Sequence, residues 1–288
     1  MKKSVLRAAI IGCSDGTEPD SAAIPALQNL LKSRFSISSW VHSVLYRTSA
    51  GKTNSPQARA KMLHEAFRDP ETDLIFDISG GDAANGILPY LDFLELQQYT
   101  KPFFGYSDNS VLLNPLHQLA HIPVYYFQPR FLPQSAAAQF YFSAFLRQDT
   151  QVLVPKHYNF LQGERLKGAI AGGNIRCTLK LIGTPWQPDF SGNILFLESF
   201  SGGLIRIETM LRQYAQMGAF SQCSGILLGN FTELSKNGML SQLYALVSEI
   251  VDDPSLPIVY TTEIGHQADS LCLPYHRPLC LQRLADKR

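Results

Sequence analysis

Apolar positions along this chain fall into two kinds of block that take turns. Residues 5–11, 73–78, 103–105 and 124–127 are short, nearly continuous apolar runs, the pattern of strands buried on both faces. Residues 35–41 alternate and read as extended. Between them lie segments with helical spacing: 22–32 (Ile24, Leu27, Leu30, Leu31), 58–67 (Met62, Leu63, Phe67) and 111–120 (Val111, Leu112, Leu116, Leu119). A further segment, 85–94, follows Gly80-Gly81-Asp82. Strand–helix alternation of this sort predicts a parallel sheet with helices on both faces. Such sheets bind ligands at the carboxyl ends of their strands, which directs attention to the loops 12–16, 79–82 and 107–110.

The pattern weakens between about residues 142 and 168, where polar and mixed residues such as Arg147-Gln148-Asp149-Thr150 take over. A domain crossing is expected there, separating an N-terminal α/β domain (1–150) from a C-terminal one (165–288). The second half has shorter apolar runs at 169–170, 194–197, 226–228, 258–260 and 271–273, with helices expected at 204–217 and 240–250. This predicts a smaller α+β or barrel-like domain rather than a second copy of the first.

Composition narrows the function. At 288 residues with 45% hydrophobic and 17% charged, the chain can build a large core. A net charge of +1 with interleaved signs leaves no footprint for nucleic acid or an anionic membrane. No run approaches the roughly 18 apolar residues of a membrane span. Met1-Lys2-Lys3 precedes an apolar stretch that Arg7 interrupts, which reads as a first buried strand rather than a signal peptide. Five cysteines, odd in number and without Cys-x-x-Cys, fit a reducing compartment and neither a disulfide framework nor a zinc knuckle. The expectation is a soluble cytoplasmic protein without metal or cofactor.

Ser107 is the foremost candidate for chemistry. The run Gly105-Tyr106-Ser107-Asp108-Asn109 ends a strand and opens a helix, the turn that lifts a nucleophile's hydroxyl towards a helix N-terminus. It lacks the second glycine of the usual elbow, and an N-cap serine would read the same way. A serine nucleophile also needs a base, an orienting carboxylate and oxyanion donors. Glu198 ends the apolar run 194–197 and is expected at a surface or cleft, and His266 follows Gly265 in a loop after the run 258–260. Gly80-Gly81 either permits a turn or brings backbone amides close to a substrate oxygen. The amide of Asp108, next to the elbow serine, would be a second donor.

Together these motifs resemble the LD-carboxypeptidase family, which includes the microcin C immunity peptidases. The resemblance is carried by Gly80-Gly81 with Leu88-Pro89-Tyr90-Leu91-Asp92, by Gly105-Tyr106-Ser107-Asp108 and by Gly172-Gly173-Asn174. It continues through Gly183-Thr184-Pro185, Leu195-Phe196-Leu197-Glu198 and Gly265-His266, with residues 59–69 as the helix before the glycine pair. It spans roughly residues 5 to 280, in order. It implies a Rossmann-like N-terminal domain carrying the serine, a C-terminal domain carrying glutamate and histidine, and an active site in the cleft between them. It further implies a serine peptidase with Ser107 as nucleophile, His266 as general base, Glu198 as its orienting carboxylate, and the amides of Gly81 and Asp108 as oxyanion hole.

The implied substrate is the terminal D-alanine bond of a cytoplasmic murein tetrapeptide or, in the immunity branch, an amide joining a peptide to an aminoacyl-nucleotide. Family members are often dimers, so a homodimer is the implied assembly. Departures from the family pattern at Ser110, Gln128-Pro129, the segment 273–276 and Cys13-Ser14-Asp15-Gly16 spare the catalytic groups and bear on pocket shape. A terminal carboxylate would call for a bidentate arginine, with Arg130 and Arg176 as candidates, and Trp186 either offers a stacking surface to a sugar or base or is buried between the domains. Two other readings stay open. A glutamine-amidotransferase-like hydrolase would want cysteine at position 107, and a non-catalytic binding protein would hold a peptidoglycan fragment without cleaving it.

Overall fold

The computed structural model describes residues 5–283. Met1, Lys2 and Lys3, which entered the signal-peptide question, lie outside them. The first half supplies five strands: β1 (Arg7–Ile11), β2 (Ser38–Val41), β3 (Leu74–Asp77), β4 (Phe103–Gly105) and β5 (Val124–Tyr126). The second half supplies β6 (Asn159–Gln162), β7 (Arg165–Gly168), β8 (Ile170–Asn174), β9 (Ile194–Ser199), β10 (Gly225–Phe231), β11 (Ile258–Tyr260), β12 (Leu273–Pro274) and β13 (Leu279–Gln282). The first sheet runs β12-β5-β4-β3-β1-β2, with β1 to β5 parallel and β12 antiparallel to β5. The chain thus returns from the second half to complete the first sheet.

The second sheet runs β6-β11-β10-β9-β8. Its four strands β8 to β11 are parallel, and β6 alone runs against β11. The α+β or barrel-like expectation for this half thus resolves into an open, mostly parallel sheet. The helices Leu204–Gln216 and Leu240–Val251 cover it, turning Ile207, Leu211, Tyr214, Leu243 and Val247 into its core. A small ribbon of β7 and β13 completes the strands.

Local rules account for several boundaries. The helix Pro56–Arg68 starts with proline in its first turn, and the Ser55 hydroxyl accepts the Ala58 N–H at 3.2 Å. The helix Ala136–Leu146 was not visible in the pattern. Its sequence is apolar on every side, so no 3.6-residue period marks it. It packs Phe142 and Phe145 against Phe104 of the first sheet.

The helix Ser110–Gln118 is buried at every residue from Ser110 to Leu116 because it lies between the two sheets. Its Asn114 accepts the Gly172 N–H at 2.8 Å and donates to the Gly172 carbonyl at 2.8 Å. A single hydrophobic cluster includes Ile11, Leu63 and Phe103 from the first half and Ile170, Ile194, Phe196 and Val259 from the second. Among the described residues no helix is long and apolar enough to cross a membrane, and all five cysteines are unpaired.

Gly172, which bonds Asn114 at this junction, stands at φ +115°. A Cβ there would lie 2.2 Å from the Phe196 carbonyl oxygen, a backbone atom that cannot step aside. Gly172→Ala is expected to cost about 3–5 kcal/mol, from strain and overlap together. Gly183, at φ +74° but facing open space, is the control, and Gly183→Ala should cost about 1 kcal/mol. Urea unfolding of both variants checks the difference, and equal midpoints would refute it.

Candidate active site

The elbow is built as the sequence suggests. After β4, Tyr106 is extended at φ −154° and Ser107 turns to φ +58°, leading through a short 3₁₀ turn into the helix Ser110–Gln118. A non-glycine residue in the left-handed region costs about 1 kcal/mol or more and must be held there. Backbone bonds hold it. The Ser107 N–H donates to the Tyr126 hydroxyl at 3.0 Å, and the Ser110 hydroxyl donates to the Ser107 carbonyl at 2.7 Å. Ser110 Oγ in turn accepts the Asn174 N–H at 2.9 Å, fastening the elbow to the end of β8.

The hydroxyl of Ser107 lies 2.8 Å from His266 Nε2, and His266 Nδ1 lies 2.7 Å from Glu198 Oε2. Glu198 Oε1 accepts from the Tyr126 hydroxyl at 2.7 Å and from Asn174 Nδ2 at 2.9 Å. With the Nδ1 proton directed at a carboxylate, Nε2 presents its lone pair to the serine and can take its proton. The rings of Tyr106 and Phe200 flank the imidazole at 4.9 and 5.0 Å between centroids.

Glu198 departs from the sequence expectation. It lies within β9 and is 0% exposed, not at a surface. The parallel register of β8 and β9 sets Asn174 directly beside it, so three hydrogen-bonded neighbours replace the water it loses. Burial, then the negative charge of Glu198, pushes the Tyr126 hydroxyl well above its ordinary range, so that it stays a donor.

On the other side of the serine, Gly81 stands at φ +115°, and a Cβ there would meet the Asp15 carboxylate at 2.1 Å. No side chain fits. The Asp108 carboxylate is buried and accepts from Ser14 Oγ at 2.6 Å, the Ala84 N–H at 2.8 Å and Lys180 Nζ at 2.6 Å. The buried Arg59 donates to the carbonyls of Cys13 and Ala83. These bonds pin the loops 12–16, 79–84 and 107–109 to one another. Burial lowers the pKa of Lys180, but the Asp108 and Asp82 carboxylates outweigh it and raise it overall. Asp82, Asp108 and Cys177 are close enough to hold a metal, yet the Lys180 ammonium already bonds both carboxylates, and burial pushes the Cys177 thiol well up.

A cavity of about 440 Å³ opens over this array, and both halves of the chain line it. Of the residues singled out from the sequence, Ser107, Gly81, His266, Arg130 and Arg176 face it, while Glu198 and Asp108 lie behind. Trp186 does not. It packs partly buried against the hydrophobic cluster shared by the two halves, the burial reading of that residue; Phe200, 55% exposed on the cavity wall, offers a stacking surface instead. Arg176 pairs with Asp82 at 2.5 Å. Arg130 has no carboxylate partner among the described residues and rests against the Tyr106 hydroxyl and the Phe131 ring.

Tyr126, Lys180 and Phe200 were not singled out from the sequence, and Asn174 was quoted only as part of a motif. Tyr126 gives no local signal, because its partner Glu198 is 72 positions away.

An elbow serine in contact with a histidine, on an α/β scaffold with a cleft at the strand ends, defines the hydrolase class. Comparison with known proteins narrows it. Residues 8–127 match the LD-carboxypeptidase N-terminal domain and residues 167–281 the LD-carboxypeptidase C-terminal domain. The chain belongs to the LD-carboxypeptidase family and is a serine peptidase. The murein tetrapeptide carboxypeptidase of Pseudomonas aeruginosa is 28% identical over 252 residues, 82% of this chain and 80% of that protein.

Among solved structures, the MccF-like protein of Bacillus anthracis superposes with a TM-score of 0.84 at 21% identity, covering 99% of this chain and 95% of that one. The microcin C7 self-immunity protein MccF, in complex with aspartyl sulfamoyl adenosine, superposes with a TM-score of 0.80 at 19% identity, covering 96% and 93%.

Proposed function

We propose that this chain is a metal-independent serine carboxypeptidase that releases the terminal D-alanine from a murein tetrapeptide in the cytoplasm. In this reading Ser107 Oγ attacks the scissile carbonyl while His266 Nε2 takes its proton. Glu198 holds the imidazole in the required tautomer and faces the positive charge that develops on it. The oxyanion meets the N–H groups of Gly81 and Asp108. The imidazolium then protonates the leaving amine, and water, activated by the same base, hydrolyses the acyl-enzyme. The observation that carries the proposal is the unbroken relay from Ser107 Oγ through His266 to the buried Glu198, at the edge of a cleft.

Arg130 supports an exopeptidase. Its guanidinium lines the cleft without an ion-pair partner among the described residues, whereas Arg176 is already neutralised by Asp82. A substrate carboxylate could take a bidentate contact there. Arg130→Ala should raise KM about 10–100-fold with little change in kcat, as expected when binding common to ground and transition state is lost. An unchanged KM would remove Arg130 from carboxylate recognition.

The second reading is an immunity-type peptidase acting on an amide between a peptide or amino acid and a nucleotide. The exposed Phe200, with Tyr106 and Phe131 also lining the cavity, favours it by offering aromatic surface to a base. Incubation with murein tetrapeptide and, separately, with aspartyl sulfamoyl adenosine, followed by mass spectrometry, tests both. Free D-alanine supports the first reading and free aspartate the second. Retention of either ligand without cleavage would instead favour a binding protein.

A further inference from the structure

Ser107 is connected to the buried carboxylate by two routes. One runs through side chains, from Oγ to His266 to Glu198 Oε2, at 2.8 and 2.7 Å. The other starts from the backbone: the Ser107 N–H donates to the Tyr126 hydroxyl at 3.0 Å, and that hydroxyl donates to Glu198 Oε1 at 2.7 Å. The two routes close a ring that begins and ends on the same serine. Its direction is fixed by chemistry. A backbone N–H can only donate, so the tyrosine oxygen accepts there and its one proton must go to the carboxylate.

We infer that Tyr126 is a positioning residue of the hydrolytic reaction, holding the nucleophile's backbone and the orienting carboxylate through one hydroxyl. The inference rests on the reading of Ser107 as nucleophile. Three features give the tyrosine this part. It ends β5 of the first sheet, whereas Glu198 belongs to β9 of the second, so its hydroxyl sets the distance between elbow and carboxylate across the junction. Its ring is 0% exposed and stands edge-on to Phe196, with centroids 5.2 Å apart at 86°, which denies it other positions. Finally, it shares Oε1 with the Asn174 amide, leaving Oε2 for the imidazole.

The ring also decides which amides can serve the oxyanion. With the Ser107 N–H turned to Tyr126, that donor is already engaged, and the task falls to Gly81 and Asp108.

Tyr126→Phe in the full chain tests the inference, since it keeps the ring and its packing and removes only the hydroxyl. The expected result is a fall in kcat of about 30–100-fold with KM changed less than about twofold. Labelling of Ser107 by a fluorophosphonate should slow by a similar factor. The acid limb of kcat/KM should move to higher pH, because a carboxylate that loses a donor attracts the imidazolium more strongly. A purely structural role would not move that limb. The imidazole faces Ser107 and Tyr106 from the elbow, and Glu198 and Phe200 from β9 and the loop after it. The cleft charges Asp82, Arg130 and Arg176 are the same in both proteins.

A kcat within threefold of the parent with an unmoved acid limb overturns the inference. So does a loss that only follows the folded fraction, read by thermal melting, while folded molecules label at the parent rate. Ser107→Ala is assayed alongside: activity retained there defeats the nucleophile reading itself, a failure distinct from a silent Tyr126→Phe.

Discussion

Replacing Ser107 by alanine is expected to lower kcat/KM by about four to six orders of magnitude and to leave the fold intact. The substitution removes one oxygen, which is hydrogen-bonded to His266 Nε2 at 2.8 Å. The bonds that hold the elbow use the Ser107 N–H and carbonyl, which alanine retains. Alanine meets the same left-handed backbone at φ +58° with the same Cβ, so stability should change by less than about 0.5 kcal/mol. Assay with the cleaved substrate, together with a thermal melt, checks both parts. Turnover near the parent rate in a well-folded variant would end the acyl-enzyme proposal.

The second large effect is expected from Glu198→Gln, a change of one atom in a wholly buried site. Tyr126 and Asn174 both donate to Oε1, so they should keep the amide oxygen of glutamine on their side. The amide NH₂ is then turned towards His266 Nδ1. Two donors cannot face each other, and the imidazole answers by moving its proton to Nε2, where it points at Ser107 Oγ. A base in that tautomer cannot accept the serine proton. The expected loss in kcat is about 10³–10⁴-fold, the scale known for the equivalent tautomer error in serine proteases. A variant that keeps more than a tenth of the parent kcat would show that Glu198 does not orient the base. Glu198→Asp is the complementary variant, since its shorter side chain cannot span Tyr126, Asn174 and His266 together.

Much of the scaffold was legible in the chain because its cause is local. Apolar runs of three to seven residues mark strands wherever they are buried on both faces, and β1, β3, β4 and β5 fall on the runs read from the pattern. The helix Pro56–Arg68 carries its own start signals in Ser55 and Pro56. The helix Ala136–Leu146 was hidden for the opposite reason: it is apolar all round and leaves no stripe to count. The pairing of the second sheet was not legible because its parallel strands are joined by long helical crossovers, such as the segment with Leu204–Gln216 between β9 and β10, which no short window records.

Candidate groups were legible in the same local sense. Ser107 stands where a strand meets a helix, and Gly80-Gly81 follows a buried strand. Their meeting was not. His266 lies 159 positions from Ser107, and Tyr126 lies 72 from Glu198. The burial of Glu198 follows from the β8–β9 register and from Tyr126 reaching across from the other sheet. Trp186 shows the converse: an aromatic beside a motif can look like a binding surface and yet pack against the core.

By itself the chain determined the alternation of strands and helices, the sharp turn at Ser107 and the order of the family motifs, because each depends on neighbours a few residues apart. Tertiary structure alone decided that a buried glutamate, a loop histidine and a strand tyrosine would converge on that serine, and that Lys180 would bind the carboxylate next to it. Hydrogen bonds between distant residues exist only once sheet register and core packing have fixed the distances, and no local preference encodes those.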